Sequence, residues 1–271
     1  MNTPVEAPLR AATYLGDNTV AIMADLVRYL SEATGIEVVI DRTVGRSTAA
    51  ARQEAPNLDL VWMCGYMTES LISAGRMSHT IVAVPVFAGH GGPVYHSVIV
   101  TRPDGPRTLL AALDTRLAVN EIESWSGFLG LKAHVEHCRP GSWFTDQTVT
   151  GSHRASIRAV AERECDVASI DVTIWDHVVA TEPEAAADLR TIDRTVDWPA
   201  PPFSLTANLE LEQRDIVTAA LLAIRPSDIA SLDGVAPANS CLYRDVMPVR
   251  PPGIPVRRSS KRETHNGSDR N

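Results

Sequence analysis

The sequence predicts an α/β protein built as two lobes, each a mixed, mostly parallel sheet flanked by helices, with the second lobe inserted into the first. Three observations carry this. Short β-branched runs alternate with apolar residues at helical spacing along most of the chain, the pattern of strands joined by crossover helices. Strand after strand ends in a Gly, Ser, Asn or Asp loop that opens a helix. The alternation breaks once, where two extended runs flank Gly89-His90-Gly91-Gly92-Pro93, and then restarts. A chain of 271 residues that is 44% hydrophobic can fill such cores.

Taken in order, Leu9 to Leu15 reads as a strand ending in Gly16-Asp17-Asn18. From Thr19 the residues Ile22, Leu26, Val27 and Leu30 recur at helical spacing until Gly35 stops the helix. Ile36 to Ile40 and Leu58 to Met63 are strands, and Cys64-Gly65-Tyr66 leads into a helix from Met67 to Ala74. Ile81 to Phe87 and Tyr95 to Thr101 are the extended runs around the glycine-rich segment, whose conformational freedom suits a hinge or a close backbone approach. Then come a helix at Leu109 to Leu113, a strand at Arg116 to Asn120 and a helix from Ser124 to His137. A strand at Gln147 to Thr150, a helix at Ser152 to Arg163, a strand at Asp166 to Ile170 and a helix at Val172 to Ala180 follow. Strands at Leu189 to Ile192 and Phe203 to Ala207 precede a last clear helix, Glu210 to Ile224. The lobes implied are 1–99 with 203–246, and 100–202 inserted between them; 247–271, proline-rich and basic, lacks apolar periodicity and reads as a disordered tail.

Charge and cysteine usage exclude several classes. With 25 Lys+Arg against 33 Asp+Glu the net charge is −8, whereas nucleic-acid binding needs a basic surplus on one face. The stretch from Arg250 to Asn271 holds six Lys or Arg and two Asp or Glu, so the remaining body is more acidic than the total, near −12. Such a body is a poor long-range attractor of anions, and any anion selectivity must be local. No apolar run is long enough for a membrane-spanning helix, so the chain is not integral to a bilayer. Met1 to Arg10 has neither a basic start nor an apolar h-region, so the expected location is cytoplasmic, and periplasmic or cell-surface only if the N-terminus is incomplete. Cys64, Cys138, Cys165 and Cys241 form no CxxC pair, which predicts reduced and mostly buried thiols.

Local chemistry concentrates at strand ends. In Val119-Asn120-Glu121-Ile122-Glu123-Ser124-Trp125-Ser126-Gly127 an apolar strand runs through a hydroxyl-rich turn into a helix. The unpartnered amides of that helix start, with the positive dipole end and Ser124 and Ser126, make an anion cradle, or else Ser124 is simply an N-cap. In Thr150-Gly151-Ser152-His153, Ser152 caps a helix whose first turn carries His153, either a donor to an oxyanion or a packed histidine. Asp171 ends an apolar strand and would take a ligand amine or hydroxyl, or cap the next helix. His134, His137 and Cys138 share a helical face with metal-ligand chemistry, but a solvated helix end explains them and no metal is expected.

Four runs together resemble a known family: Pro93-Val94-Tyr95-His96-Ser97-Val98-Ile99-Val100, Val119-Asn120 through Ser124-x-Ser126-Gly127, Thr150-Gly151-Ser152-His153-Arg154-Ala155-Ser156 and Asp166-Val167-Ala168-Ser169-Ile170-Asp171. In order and spacing they look like the phosphate, phosphite and phosphonate type of ABC-transporter substrate-binding proteins, the PhnD-like family, over about residues 10–225. Leu58-Asp59-Leu60-Val61-Trp62 with Cys64-Gly65-Tyr66 resembles that family's strand and pocket loop.

The resemblance implies the two-lobed type 2 periplasmic-binding-protein fold, with Tyr95 to Thr101 and Phe203 to Ala207 as crossover strands forming the hinge. It puts the anion-binding turn on Ser124, Trp125 and Ser126, a histidine on His153, a carboxylate on Asp171 and a hinge aromatic on Tyr95. Tyr66 and the loop of Asp17 are first-lobe candidates. Two departures bear on the ligand: Trp125 stands where phosphonate binders carry a small hydrogen-bonding residue, and Glu123 puts a carboxylate beside the cradle unless Arg154 or Arg158 offsets it. An aromatic plus carboxylates suits a ligand with an apolar or cationic part.

The function expected is capture of a small anionic or zwitterionic ligand, phosphonate-like, phosphate-like or a carboxylate, between two lobes. No cofactor or metal is expected, the protein is a monomer or weak dimer, and it serves as an ABC transporter component paired with a permease, or as a cytoplasmic sensor. The alternative is an enzyme on the same fold, a lyase or cofactor-biosynthesis type, with His153 and Asp171 as acid and base.

Overall fold

The computed structural model describes residues 7–43, 47–245 and 257–258. β1 (Leu9–Thr13) leads to α1 (Asn18–Thr34), β2 (Val38–Ile40), α2 (Thr48–Glu54), β3 (Leu60–Trp62), α3 (Gly65–Ser73) and β4 (His79–Phe87). β5 (Val94–Tyr95), β6 (Ser97–Thr101), α4 (Leu109–Ala112), β7 (Arg116–Val119), α5 (Gly130–Cys138), β8 (Asp146–Val149), α6 (His153–Ala161), β9 (Val167–Asp171), α7 (Val172–Thr181), α8 (Pro183–Ala187) and β10 (Arg190–Arg194) follow. The chain returns through β11 (Trp198–Pro199), β12 (Phe203–Thr206), α9 (Leu211–Leu222), β13 (Leu232–Pro237) and α10 (Ser240–Arg244); β14 (Arg257–Arg258) pairs parallel with β8. The rest of the expected tail, 247–271, lies outside the described residues.

Among the described residues these strands make two six-stranded mixed sheets, ordered β13-β4-β12-β3-β1-β2 and β10-β6-β9-β7-β8-β14, and a two-stranded ribbon of β5 with β11. In the first sheet β1 pairs parallel with β2 and β3, while β12 and β13 run antiparallel to β4. In the second, β7 pairs parallel with β8 and β9, while β6 runs antiparallel to β9 and β10. We call each sheet with its helices a lobe.

Sequence pattern explains the elements. In α1 the buried residues Ile22, Met23, Leu26, Val27 and Leu30 form the stripe that packs on the first sheet, and Gly35, at φ 70°, ends the helix with its N–H bonded to the Ser31 carbonyl. The strands β3, β6 and β9 are buried at every position, as expected of strands covered on both faces. Trp62 anchors the first core: it is fully buried, its ring lies 5.0 Å from Phe203 and 6.2 Å from Phe87, and its Nε1 donates to the Pro201 carbonyl at 2.9 Å.

The crossovers differ in detail from the expected runs. Tyr95 to Thr101 is not one strand: the chain changes sheets at His96, so Tyr95 pairs with Trp198 in the ribbon while Ser97 to Thr101 lies wholly in the second sheet. Phe203 to Thr206 sits inside the first sheet between β3 and β4, and the return crossing is Trp198–Pro199. α2, β13 and α10 carry no periodic signal of their own. α2 reads TAAARQE, without large apolar side chains, and β13 reads LDGVAP, in which Gly and Pro mask an edge strand with an irregular register. Of the four free thiols Cys165 is buried and Cys64 half-buried, whereas Cys138 and Cys241 are exposed, against the expectation of mostly buried thiols. Among the described residues no helix is long and apolar enough to cross a membrane.

Candidate functional site

Parallel strands deliver helix N-termini at their carboxyl ends, and here the two sheets point those ends at each other. The starts of α1 after β1, α3 after β3, the turn after β7, α6 after β8 and α7 after β9 meet at a cavity of about 140 Å³ between the lobes. The first lobe contributes Tyr14, Asn18, Met63, Cys64 and Phe87 to its wall, the second Asn120, Glu121, Glu123, Ser124, Ser126, Ser152, His153, Asp171 and Thr173, and the hinge Tyr95 and Pro201.

The turn after β7 is built tightly. Ser124 caps it, its Oγ accepting from the Gly127 amide at 3.1 Å and from Asn120 Nδ2 at 3.0 Å. The helix then opens with a π-helical turn, Trp125–Leu129, in which the Leu129 amide reaches back to the Ser124 carbonyl at 2.9 Å. Gly127 permits this packing, since a Cβ there would lie 1.7 Å from Asn120 Oδ1. Ser126 is held on two sides: its carbonyl accepts from Ser97 Oγ at 2.9 Å and Ser169 Oγ at 2.7 Å, and its Oγ lies 3.0 Å from His153 Nε2. Burial holds the Tyr95 phenol well above the usual tyrosine range.

His153 and Asp171 are both buried and shifted in opposite senses to the neutral form. Burial pushes the His153 pKa down to about 4, so its ring is uncharged at neutral pH. Burial pushes Asp171 up to about 6, although its Oδ1 accepts from the Thr173 amide at 2.9 Å and the Thr173 hydroxyl at 2.7 Å. One oxygen of Asp171 caps α7 while the residue lines the cavity. Ser152 caps α6 through a 3.1 Å bond from the Ala155 amide.

The remaining candidates fall outside this wall. Trp125 and Tyr66 stack on each other across the lobes, ring centroids 6.2 Å apart, and Trp125 meets Trp198 edge-on at 4.9 Å beside the hinge. Asp17 is exposed at the rim, 3.9 Å from Arg154 of the other lobe. Glu123 is offset by neither Arg154, which pairs with Glu182, nor Arg158; its partner is Arg52 from α2, whose Nε donates at 2.8 Å. His134 faces Asp193 of β10 at 3.3 Å, away from the cavity. Asn120, Glu121 and Thr173 line the cavity without having been singled out; Asn120 and Glu121 sit inside the quoted strand-end motif, and Thr173 two residues beyond Asp171.

With this geometry in view, the comparisons are specific. A family model described as ABC transporter, phosphonate, periplasmic substrate-binding protein matches residues 11–239. A phosphonates-binding periplasmic protein of Escherichia coli (strain K12) is 27% identical over 165 residues, 58% of this chain and 48% of that protein, so the match spans about half the length of this curated relative. Among solved structures, a binding protein component of an ABC phosphonate transporter from Pseudomonas aeruginosa superposes with TM-score 0.72 at 20% identity, over 89% of this chain and 85% of that one. PhnD1 from Prochlorococcus marinus (MIT 9301), in complex with methylphosphonate, gives TM-score 0.73 at 16% identity, over 88% and 95%. At these identities the structures speak for the fold, the type 2 periplasmic-binding-protein arrangement of two lobes. The family model covers most of the chain and includes every strand-end motif at the cavity, and the chain belongs to the phosphonate-type periplasmic substrate-binding proteins of ABC transporters.

Proposed function

We propose that the chain captures a small phosphonate that carries its own positive charge, holding the anionic end at Ser124, Ser126 and His153 and the cationic end toward Asp171. One observation supports this most directly. The cavity is lined by helix N-termini and neutral hydroxyls together with the carboxylates of Glu121, Glu123 and Asp171, and among the described lining residues there is no Lys or Arg. Each helix start brings roughly half a positive charge and unpartnered amides, enough to hold an oxyanion without a side-chain cation. A second anion in the ligand would meet the Asp171 carboxylate, whereas an ammonium would pair with it. Tyr95, Asp17, Tyr66 and Trp125 serve this reading as closing contacts, with only Tyr95 in the wall. A permease and ATPase of an ABC transporter are the partners that the reading entails.

Calorimetric titration tests it. A short aminoalkylphosphonate is expected to bind about tenfold or more tightly than methylphosphonate, and Asp171→Asn to erase that preference. Ser126→Ala is expected to weaken both ligands by about 1 to 3 kcal/mol, the cost of losing a charged hydrogen-bond partner. Methylphosphonate binding as tightly as its amino analogue would remove the cationic subsite, and absence of binding by either would remove the function. A ligand recovered chemically altered would favour the enzyme alternative, with His153 and Asp171 as acid and base.

A further inference from the structure

Glu123 stands one residue before the cap of the anion-binding turn and lines the cavity, yet a carboxylate there opposes an anion at Ser124 to Ser126. Its compensation comes from the opposite lobe. Arg52 sits in α2, a helix packed on the first sheet through Ala51, which belongs to the cluster of Ala12, Val61 and Met63. From there its guanidinium spans the cleft and grips Glu123 with two nitrogens, Nε donating to Oε2 at 2.8 Å and Nη2 to Oε1. The two side chains are each about two-thirds shielded, at 33% and 29% exposure. Other pairs join the lobes, Asn18 Nδ2 to Thr173 Oγ1 at 3.2 Å, His90 to Asp176 at 3.3 Å and Arg154 to Asp17 at 3.9 Å. Of these contacts, Arg52 with Glu123 has the forked guanidinium-carboxylate geometry, which is both stronger and more directional than a point contact.

We propose that Arg52 is a specificity-determining residue that acts through Glu123: closing the lobes brings the guanidinium onto the carboxylate, cancels the charge beside the anion turn, and so couples closure to the capture of an anion. This rests on the reading that the cavity takes a phosphonate. In the open protein Arg52 and Glu123 belong to separate lobes, and the turn presents its amides alongside an uncompensated negative charge. In the closed protein that charge is paired, so the anion is bound more tightly by the closed state, which is the condition for a ligand to drive closure. Arg52 touches Glu123 rather than the ligand, and its role is positioning and charge cancellation.

The test is a cycle on the intact chain, titrated with methylphosphonate by calorimetry, with Tm recorded for each variant to establish folding. Arg52→Ala is expected to weaken binding by about tenfold, within the usual range of coupling between sites. Glu123→Gln should tighten it, and Arg52→Ala combined with Glu123→Gln should recover most of the loss, which a merely structural Arg52 would not do. Arg52→Lys, keeping the charge without the fork, should fall between. The loss in Arg52→Ala should also shrink as salt is raised, because the uncompensated carboxylate becomes screened. If the wild-type chain binds methylphosphonate and Arg52→Ala binds it equally well, this inference alone falls; a double variant no better than Arg52→Ala overturns it too. If the wild-type chain binds neither methylphosphonate nor an aminoalkylphosphonate, the functional reading fails and takes this inference with it.

Discussion

At the scale of single residues, His153 and Asp171 show how burial sets the chemistry of the cavity. Asp171, raised from 3.8 to about 6, favours the fold fully below its unfolded pKa and loses that contribution as pH rises through about 6. His153, lowered from 6.5 to about 4, runs the other way: its contribution is intact above the unfolded pKa and is lost as pH falls through about 4. Between these limits the two oppose each other. Asp171→Asn keeps an Oδ1 to accept from Thr173 and removes only the ionised form. It is expected to gain about 3 kcal/mol, or about 5 °C in Tm, near pH 8. It should gain nothing below the pKa of an ordinary aspartate. Scanning calorimetry across this range checks it, and equal Tm values at every pH would show that Asp171 is not ionised at a cost. The motif spacing makes both residues legible, but not their protonation, which depends on how deeply the folded chain buries them.

At the scale of elements, the turn from β7 into α5 is the most informative. Helical spacing from Ser124 to His137 predicts one helix, and the chain does run helically there, but its first turn is a π turn. Apolar periodicity cannot register such a widening, because the displaced carbonyl is a backbone event. Its signature in sequence is the pair Gly127 and Gly130: a Cβ at Gly130 would come within 2.9 Å of the Trp125 carbonyl, and one at Gly127 would run into Asn120. Gly127→Ala is therefore expected to cost about 1 to 3 kcal/mol in urea unfolding. Pairing it with Asn120→Ala should restore most of the stability without restoring ligand affinity, since Asn120 also holds Ser124. A single variant as stable as the wild type would mean that the turn is looser than its contacts imply. Elsewhere, elements with a dense apolar stripe, such as α1, were legible to within a residue or two. α2 was not, because its alanines pack without leaving a periodic trace, and α2 is the element that carries Arg52.

At the scale of the whole molecule, aromatic contacts near the hinge join the two lobes. Trp125 of the second lobe lies against Tyr66 of the first and Trp198 of the return crossing, so opening the cleft must expose it. Ligand-dependent closure is expected to change tryptophan emission, and Trp125→Phe to remove most of the change while calorimetry still registers binding. Emission that responds equally in the variant would assign the signal to another of the five tryptophans and leave the exposure of Trp125 on opening unsupported.

What the sequence determined by itself was the α/β alternation, the strand ends that open helices, and the four motifs in register, because periodicity and turn chemistry are local and each is written in a few adjacent residues. Those strand ends single out Ser124, Ser126, His153 and Asp171, and it is the family resemblance that implies one cleft for them together with Tyr95. Tertiary structure alone decided that Trp125 and Tyr66 face each other rather than the cavity, that Asp17 stays at the rim, and that Glu123 is paired by Arg52 from across the cleft. Those outcomes depend on contacts between segments far apart in the chain, where no local pattern records which side chain meets which.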